Sequence, residues 1–407
     1  MNDRNNNNSQ SSTPLRGAGG LLYTLSIILL LATMISCGDR SNQPTGDILT
    51  INVSGNFPER TMILQDFMDV EYIVLDDSDD FLTQGIVRAI GNNVILVTNW
   101  FPDGNIFVFD RNTGEGLRVI NRRGQGPGEY ANILQVVLDE ENNEMFVWTP
   151  GRFLVYDLYG NFLRQFNFAG GSVRNADAYN FLVYRTFPIS LEEHRQPVFL
   201  IISKQDGSFV EEIHIHSEAF RTPHIVENDG GAVSVIEANY PPFVPYQDGW
   251  MLVQTSSDTI FHRVPNGDLV PLIARTPPIH TTSTERFLFP GVFTDRYYFM
   301  QIHRKGMQGD TRNWVNVRAF PRVNLVYDRQ ENAIFEVEVL NDDFATRRIV
   351  DMGSGLISHN IAFFEVLQAY RLVEAYENGE LTGRLRELAS TLNEDSNPVI
   401  MLVRNRR

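Results

Sequence analysis

The sequence predicts an all-β protein: a six-bladed β-propeller of four-stranded blades, with two short helices packed on one end. Three observations predict it. A hairpin pattern recurs five times along the chain, each hairpin follows another apolar strand, and the two chain ends hold strands for one more unit. Repeated units of about four strands, with the hairpin outermost, are the mark of propeller blades.

The recurring pattern is an apolar strand, a polar turn near Asp, Asn or Gly, and a second strand. It reads "NIFVFDRNTGEGLRVI" from Asn105, "RFLVYDLYGNFLRQF" from Arg152, "PVFLIISKQDGSFVEEI" from Pro197, "DTIFHRVPNGDLVPLI" from Asp258 and "NLVYDRQENAIFEVEVL" from Asn324. Alternating apolar residues around such a turn signal a half-buried hairpin. The preceding strands are "NNVILVTN", "NEMFVWT", "YNFLVYRT", "GWMLVQT" and "RYYFMQI".

The sixth unit comes from the ends. "DILTINVS" (47–54), "DVEYIVLDD" (69–77) and "NPVIMLVRN" (397–405) are all strand-like. Pairing them in one blade would close the ring and remove its open edges. Six blades is the count adopted, with five and seven as the alternatives. Between about 360 and 393 the pattern turns helical, with Phe363, Val366, Leu367 and Tyr370 at three and four spacing. Gly379 is the expected stop of the first of two helices.

The chain opens with a polar stretch, then "LLYTLSIILLLATMIS" and "CGDR". A basic-leaning leader, a short apolar core and small residues before a cut are the parts of a secretory signal. The sixteen apolar residues 21–36 fall short of the roughly 18 that a membrane span needs. "MISC" resembles the lipobox of bacterial lipoproteins, so residues 1–36 read as a signal peptide and Cys37 as the lipidated residue. Residues 37–48 form a tether and 49–407 the propeller. Lipid chains on Cys37 would anchor the protein to a membrane of the cell envelope, the outer membrane being favoured.

The net charge is −16, and losing the signal makes it slightly more negative. A surface this acidic repels phosphate backbones, which excludes general nucleic-acid binding. Cys37 is the only cysteine, so once lipidated it leaves no disulfide, thiol nucleophile or thiolate ligand.

The most distinctive loop is "NRRGQGPGEY" (121–130). A nucleotide fingerprint needs G-x-G-x-x-G between a strand and a helix. Here the order is G-x-G-x-G-E, with strands on both sides. Gly124, Gly126 and Gly128 suit a tight crossover between blades, because glycine accepts positive φ. Arg122, Arg123, Glu129 and Tyr130 are then candidate binding residues held by a stiff turn, with an Arg–Glu pair between blades as the structural alternative. "NYPPFVPYQDGW" (239–250) adds Tyr240, Tyr246 and Trp250 as candidates for sugar or peptide contact, or as packing between blades. His214 and His216 read as one face of a strand. Neither they nor "DDSDD" (76–80) has the ligand spacing of a zinc or calcium site. No cofactor and no catalytic residue is assigned: there is no G-x-S-x-G elbow, and no carboxylate pair can be chosen without geometry.

The stretch from Gly124 to Phe166 resembles an NHL-type propeller repeat. "GQGPGEY" matches the glycine-rich blade opening, "VVLDEENNEMFVWT" the inner strands and "FLVYDLYGNFLRQF" the closing hairpin. Residues 37–405 resemble the six-bladed, NHL-like or TolB-like propeller lipoproteins of Bacteroidetes, with "GQGPGEY" and "SNPVIML" the more specific parts. That resemblance implies a fold and an envelope location but no settled reaction. The leading expectation is a non-catalytic binding scaffold for a peptide, a glycan or an envelope protein. The alternatives are a hydrolase or lyase acting on a polysaccharide or peptide at the central channel, and a mainly structural component.

Overall fold

The computed structural model describes residues 48–186, 198–217, 219–229, 232–306, 320–353, 358 and 360–406. The signal 1–36, Cys37 and the tether up to residue 47 lie outside the described residues. Six sheets follow one another as blades. Blade 1 is Ile86–Ile90, Val94–Thr98, Asn105–Asp110 and Gly116–Asn121. Blade 2 is Gln135–Asp139, Glu144–Thr149, Arg152–Asp157 and Phe162–Asn167, and blade 3 is Ser172–Asn175, Asn180–Arg185, Val198–Ser203 and Phe209–Ile213. Blade 4 is Phe243–Tyr246, Gly249–Leu252, Thr259–Arg263 and Leu269–Thr276, and blade 5 is Arg286–Phe293, Tyr297–Arg304, Arg322–Asp328 and Ala333–Asn341. Blade 6 has three strands among the described residues: Phe363–Leu367, Val399–Asn405 and Met68–Val74.

Each blade is an antiparallel meander whose pattern follows burial. Val94–Thr98 is buried at every position, because a second strand is covered on both faces by neighbouring blades. The outer strand Gly116–Asn121 alternates between half-buried and exposed positions before the buried Ile120, as a strand with one wet face does. Apolar layers fill the seams: Phe146, Phe153 and Phe181 meet between blades 2 and 3, with centroids 4.8 Å apart for Phe146 and Phe181.

Polar latches cross the same seams. Arg118 and Arg164 occupy matching places in the outer strands of blades 1 and 2, and each donates to a third-turn carbonyl of the next blade, Leu158 at 2.8 Å and Lys204 at 3.0 Å. At the matching place in blade 3, Glu211 pairs with Arg263 of blade 4 at 2.6 Å.

The ring closes where Val399–Asn405 pairs with Met68–Val74 over seven residues, Val399 opposite Val74 and Asn405 opposite Met68. Joining the two ends of the chain in one sheet gives both strands a hydrogen-bonded neighbour. "DILTINVS" does not join that blade, contrary to expectation. Leu49–Asn52 instead runs parallel to the outer strand of blade 4, Leu49 opposite Ile273, and Glu59–Ile63 runs parallel to the outer strand of blade 5. Alternation makes a strand but does not choose its partner, and Ile51 here points into the core with no exposed surface.

The helical stretch also needs correction at its start. Phe363–Leu367 is a strand paired with Val399–Val403, because its apolar residues satisfy either period and the neighbouring sheet supplies partners. The helices are Ala369–Glu377 and Gly383–Ala389, and Gly379 follows the first at φ +71°. His214 and His216 lie beyond the end of Phe209–Ile213, so they are loop residues rather than one face of a strand.

Candidate functional site

Strands alternate in direction within a blade. The turns joining first to second and third to fourth strands therefore lie toward one end of the ring, the hairpin end. Second-to-third turns and the crossovers between blades lie toward the other, the crossover end. The sequence candidates divide between the two.

At the crossover end, the loop 121–130 is sewn into the seam between blades 1 and 2. Tyr130 is fully buried and its hydroxyl donates to Gly104 O at 2.7 Å, while Tyr156 from blade 2 donates to Gly128 O at 2.8 Å. Burial pushes the Tyr130 phenol up to about 12. Gly128 is the one loop glycine at positive φ, +74°. At Gly124 the constraint is space, since a Cβ there would run into the Glu129 carboxylate. That carboxylate accepts from Gly126 N at 2.8 Å, and Arg122 donates to Gly160 O at 2.8 Å. The loop's bonds are thus local turns and latches to blades 1 and 2, and among the described residues it forms no Arg–Glu pair. Arg122 and Arg123 are exposed. Near them, on the second turn of blade 1, stand Trp100 and Phe101, 79% and 73% exposed. The sequence reading missed this aromatic pair, for which "NWFPDG" was the available signal.

The aromatic cluster of 239–250 is not one surface. Trp250 is buried, with its ring 5.8 Å from Phe243. Tyr240, on the crossover before blade 4, stacks on Phe289 of blade 5 at 4.4 Å, and its hydroxyl lies 2.9 Å from that of Tyr184 in blade 3. Burial raises its phenol pKa well above the ordinary value. Tyr246 alone lies at the hairpin end.

There Tyr246 helps line a cavity of about 240 Å³, with Gln247, Phe293, Thr294, Asp295, Tyr298, Arg329, Ser358, Asn405 and Arg406 among its neighbours. Two further cavities, one between blades 4 and 5 and one within blade 5, are about 10 Å³ each, room for one water at most. Four local structures build the larger one. The two-residue turn after Tyr246 holds Gln247 at φ +51°, which a polar side chain tolerates better than a branched one. The first turn of blade 5 is closed by Tyr297 N donating to Thr294 Oγ1 at 2.8 Å. Asn405 Nδ2 donates to Phe293 O at 3.3 Å, and Arg406 is held by Asp66 O and Gln65 O at 2.7 and 2.6 Å.

The fourth is the third turn of blade 5, fixed by Asp328. Its side chain has no exposed surface and accepts from Arg296 at 2.8 Å, Arg60 at 3.2 Å and the N–H of Gln330 at 2.9 Å. Burial works to raise the Asp328 pKa. The Arg296 hydrogen bonds, the N–H groups of Glu331 and Gln330 and the Arg296 charge outweigh it and bring the value down to about 2. Arg329 follows on this anchored turn, its backbone N–H bonded to Arg296 O at 2.9 Å and its Nη1 to Asp295 O at 2.7 Å.

Within the cavity the Tyr246 and Tyr298 hydroxyls lie 3.1 Å apart, and the Arg329 guanidinium sits 5.2 Å from the centroid of the Tyr298 ring. Phe293 stacks on the same Tyr298 ring at 4.3 Å. Burial, then the Tyr298 hydrogen bond, raises the Tyr246 phenol pKa. The result is a polar recess of hydroxyls, amides and a guanidinium. Sequence reasoning found Tyr246 and missed Tyr298, Arg329, Asn405 and Arg406. Among the described residues no group of three or more His, Cys, Asp or Glu is placed to hold a metal ion, and no helix is long and apolar enough to cross a membrane.

A family model with the description "Domain of unknown function (DUF4934)" matches residues 48–404. No curated protein matches the chain. Among solved structures, a Bacteroides fragilis protein named as exported is similar at a TM-score of 0.53 and 13% identity, covering 86% of this chain and 99% of its own. A DUF4221-family protein of Bacteroides vulgatus is similar at a TM-score of 0.37 and 10% identity, covering 84% and 98%. The first likeness shows the fold.

Proposed function

We propose that this chain, which belongs to the DUF4934 family, is a lipid-anchored propeller of the cell envelope that acts as a non-catalytic binding scaffold, holding a peptide, a glycan or a protein partner in the hairpin-end cavity. The observation that carries the reading is the cavity itself: about 240 Å³, lined by side chains from blades 4, 5 and 6. A concave recess with a few fixed polar groups that orient what it holds is a common feature of ligand sites. Its chemistry suits holding. A phenol that burial keeps protonated, as at Tyr246, donates a hydrogen bond and does not serve as a base at neutral pH. The signal pattern and "MISC" motivate the anchor at Cys37, and the exported Bacteroides fragilis protein of like fold supports an envelope location.

A thermal-shift screen of the full chain in detergent tests the binding reading, with a panel of glycans, peptides and divalent metals. A ligand at about 100 times its Kd adds roughly 2.7 kcal/mol, which moves the midpoint by a few degrees. The expected result is a shift by a glycan or peptide that a cavity substitution, Tyr298→Ala, removes, with the ligand recovered unchanged after incubation. A ligand consumed during incubation would overturn the non-catalytic assignment. For the anchor, Cys37→Ala is expected to abolish incorporation of labelled fatty acid, and undiminished labelling would sink it.

A further inference from the structure

One position repeats in the blades: the residue just after the third strand. It is Arg111 in blade 1, Lys204 in blade 3 and Arg329 in blade 5. All three have the same backbone setting, each donating its N–H to a carbonyl at the first turn of its own blade: Asn93 O at 2.8 Å, Tyr179 O at 2.9 Å and Arg296 O at 2.9 Å. Two of the three side chains meet a carboxylate. Arg111 pairs with Glu71 at 3.0 Å, and Lys204 pairs with Asp139 at 2.7 Å. Among the described residues Arg329 makes no such pair. Its side chain has one hydrogen bond, to Asp295 O, and otherwise faces the cavity beside the Tyr298 ring.

At the same position Arg111 and Lys204 are each neutralised by a carboxylate, and among the described residues Arg329 is not. The guanidinium fork matches a carboxylate in shape and charge, and among the described residues the Arg329 side chain bonds only through Nη1, to Asp295 O. Around it the cavity mixes donors and acceptors: the Tyr246 and Tyr298 hydroxyls, the Gln247 and Asn405 amides, the Thr294 hydroxyl and the Asp295 carboxylate. Two phenols 3.1 Å apart satisfy each other with one proton, which leaves the second free to donate. Phe293 and Arg329 occupy the Tyr298 ring, so the recess offers hydrogen bonds rather than a slot for an apolar side chain. That combination fits a polyol bearing one carboxylate better than a peptide end with its side chains.

We infer that the hairpin-end cavity binds a carboxylated sugar, a uronate residue of a glycan, with its carboxylate paired to Arg329 as Glu71 is to Arg111 and Asp139 to Lys204. The inference rests on the binding-scaffold reading and narrows it to one ligand chemistry.

Calorimetric titration of the full chain in detergent tests it. The probes are a disaccharide ending in glucuronate, its methyl ester, the glucose counterpart, triglycine and triglycine amide. The glucuronate disaccharide is expected to bind, and the ester and neutral sugar at least tenfold more weakly. Arg329→Gln is expected to weaken the acid at least tenfold, Arg329→Lys to weaken it less, and Arg123→Gln at the crossover end to leave it unchanged. Arg329 sits on an exposed turn, and an unchanged melting profile confirms that the variants fold. Equal binding of the neutral sugar, indifference to Arg329→Gln, or no binding of the acid each overturns the inference. Binding of triglycine but not its amide would move the carboxylate to a peptide end and overturn the sugar. In those cases a neutral or peptide ligand lost with Tyr298→Ala would leave the scaffold reading standing, whereas silence of every probe and of the wider panel would remove both.

Discussion

His303 shows what burial does to a single titratable side chain in this ring. It is buried in blade 5, its Nε2 lies 3.0 Å from Gln301 Oε1, and its ring meets the edge of Phe289 at 5.0 Å. Burial, helped by the Arg322 charge and opposed by Asp351, brings its pKa down from 6.5 to about 4. The unfolded chain therefore takes up a proton at a higher pH than the fold does. The stability contributed by this histidine is complete above about pH 6.5 and is lost as pH falls through about 4. Urea unfolding of the wild type should weaken more between pH 7 and pH 4.5 than that of His303→Gln, and equal losses would contradict the assignment. Lys204 and Asp139 give a second test. Both side chains are only 5% exposed, so Lys204→Met strands a buried carboxylate and should cost about 3–5 kcal/mol. Adding Asp139→Leu should recover much of that loss, and a double variant no better than the single would argue against the pair.

The two parallel strands are the elements that propeller reasoning from sequence did not foresee. Leu49–Asn52 and Glu59–Ile63 cover the outer edges of blades 4 and 5, where main-chain N–H and C=O groups would otherwise face water. Ile51 carries the first of them into the core, so Ile51→Ala should lower stability by about 2–5 kcal/mol. The measurement is a shift of the urea midpoint with an unchanged slope, and a shift below 1 kcal/mol would mean the strand is merely laid on. The blade strands themselves were legible because "VILVT" and its counterparts are apolar throughout and are bounded by turn residues. Partner choice was not, since a strand of alternating residues carries no mark of what it pairs with. The same holds for Phe363–Leu367, whose apolar spacing fits a helix as well as a strand until Val399–Val403 is placed beside it. The site was the least legible part. Tyr246 announced itself among prolines and aromatics, but Tyr298, Arg329 and Asn405 come from separate stretches and meet only when the ring closes. One trace of the cavity did lie in the text: a basic residue follows the third strand in "FDRNTG", "ISKQDG" and "YDRQEN". Telling Arg329, which meets no carboxylate among the described residues, from the paired two needed the neighbouring blades.

At the scale of the whole ring, closure rests on a single strand. Val399–Asn405 holds Phe363–Leu367 on one side and Met68–Val74 on the other, and its last residues, Asn405 and Arg406, also wall the cavity. A chain ending at Asn397 should lose both pairings, expose two strand edges and elute as aggregate in size-exclusion chromatography. A monodisperse product with a cooperative melt would show that the ring tolerates an open blade. The proposed ligand site lies at the hairpin end of this closed ring. Hydrogen exchange of the full chain tests it most directly, with and without the panel compound that gives the largest thermal shift. Slowed exchange is expected at residues 246–249, 294–298 and 329–332, with the loop 121–130 and the turn bearing Trp100 and Phe101 unchanged. Slowing confined to those crossover-end segments would contradict it and would place the binding face on the opposite end of the ring.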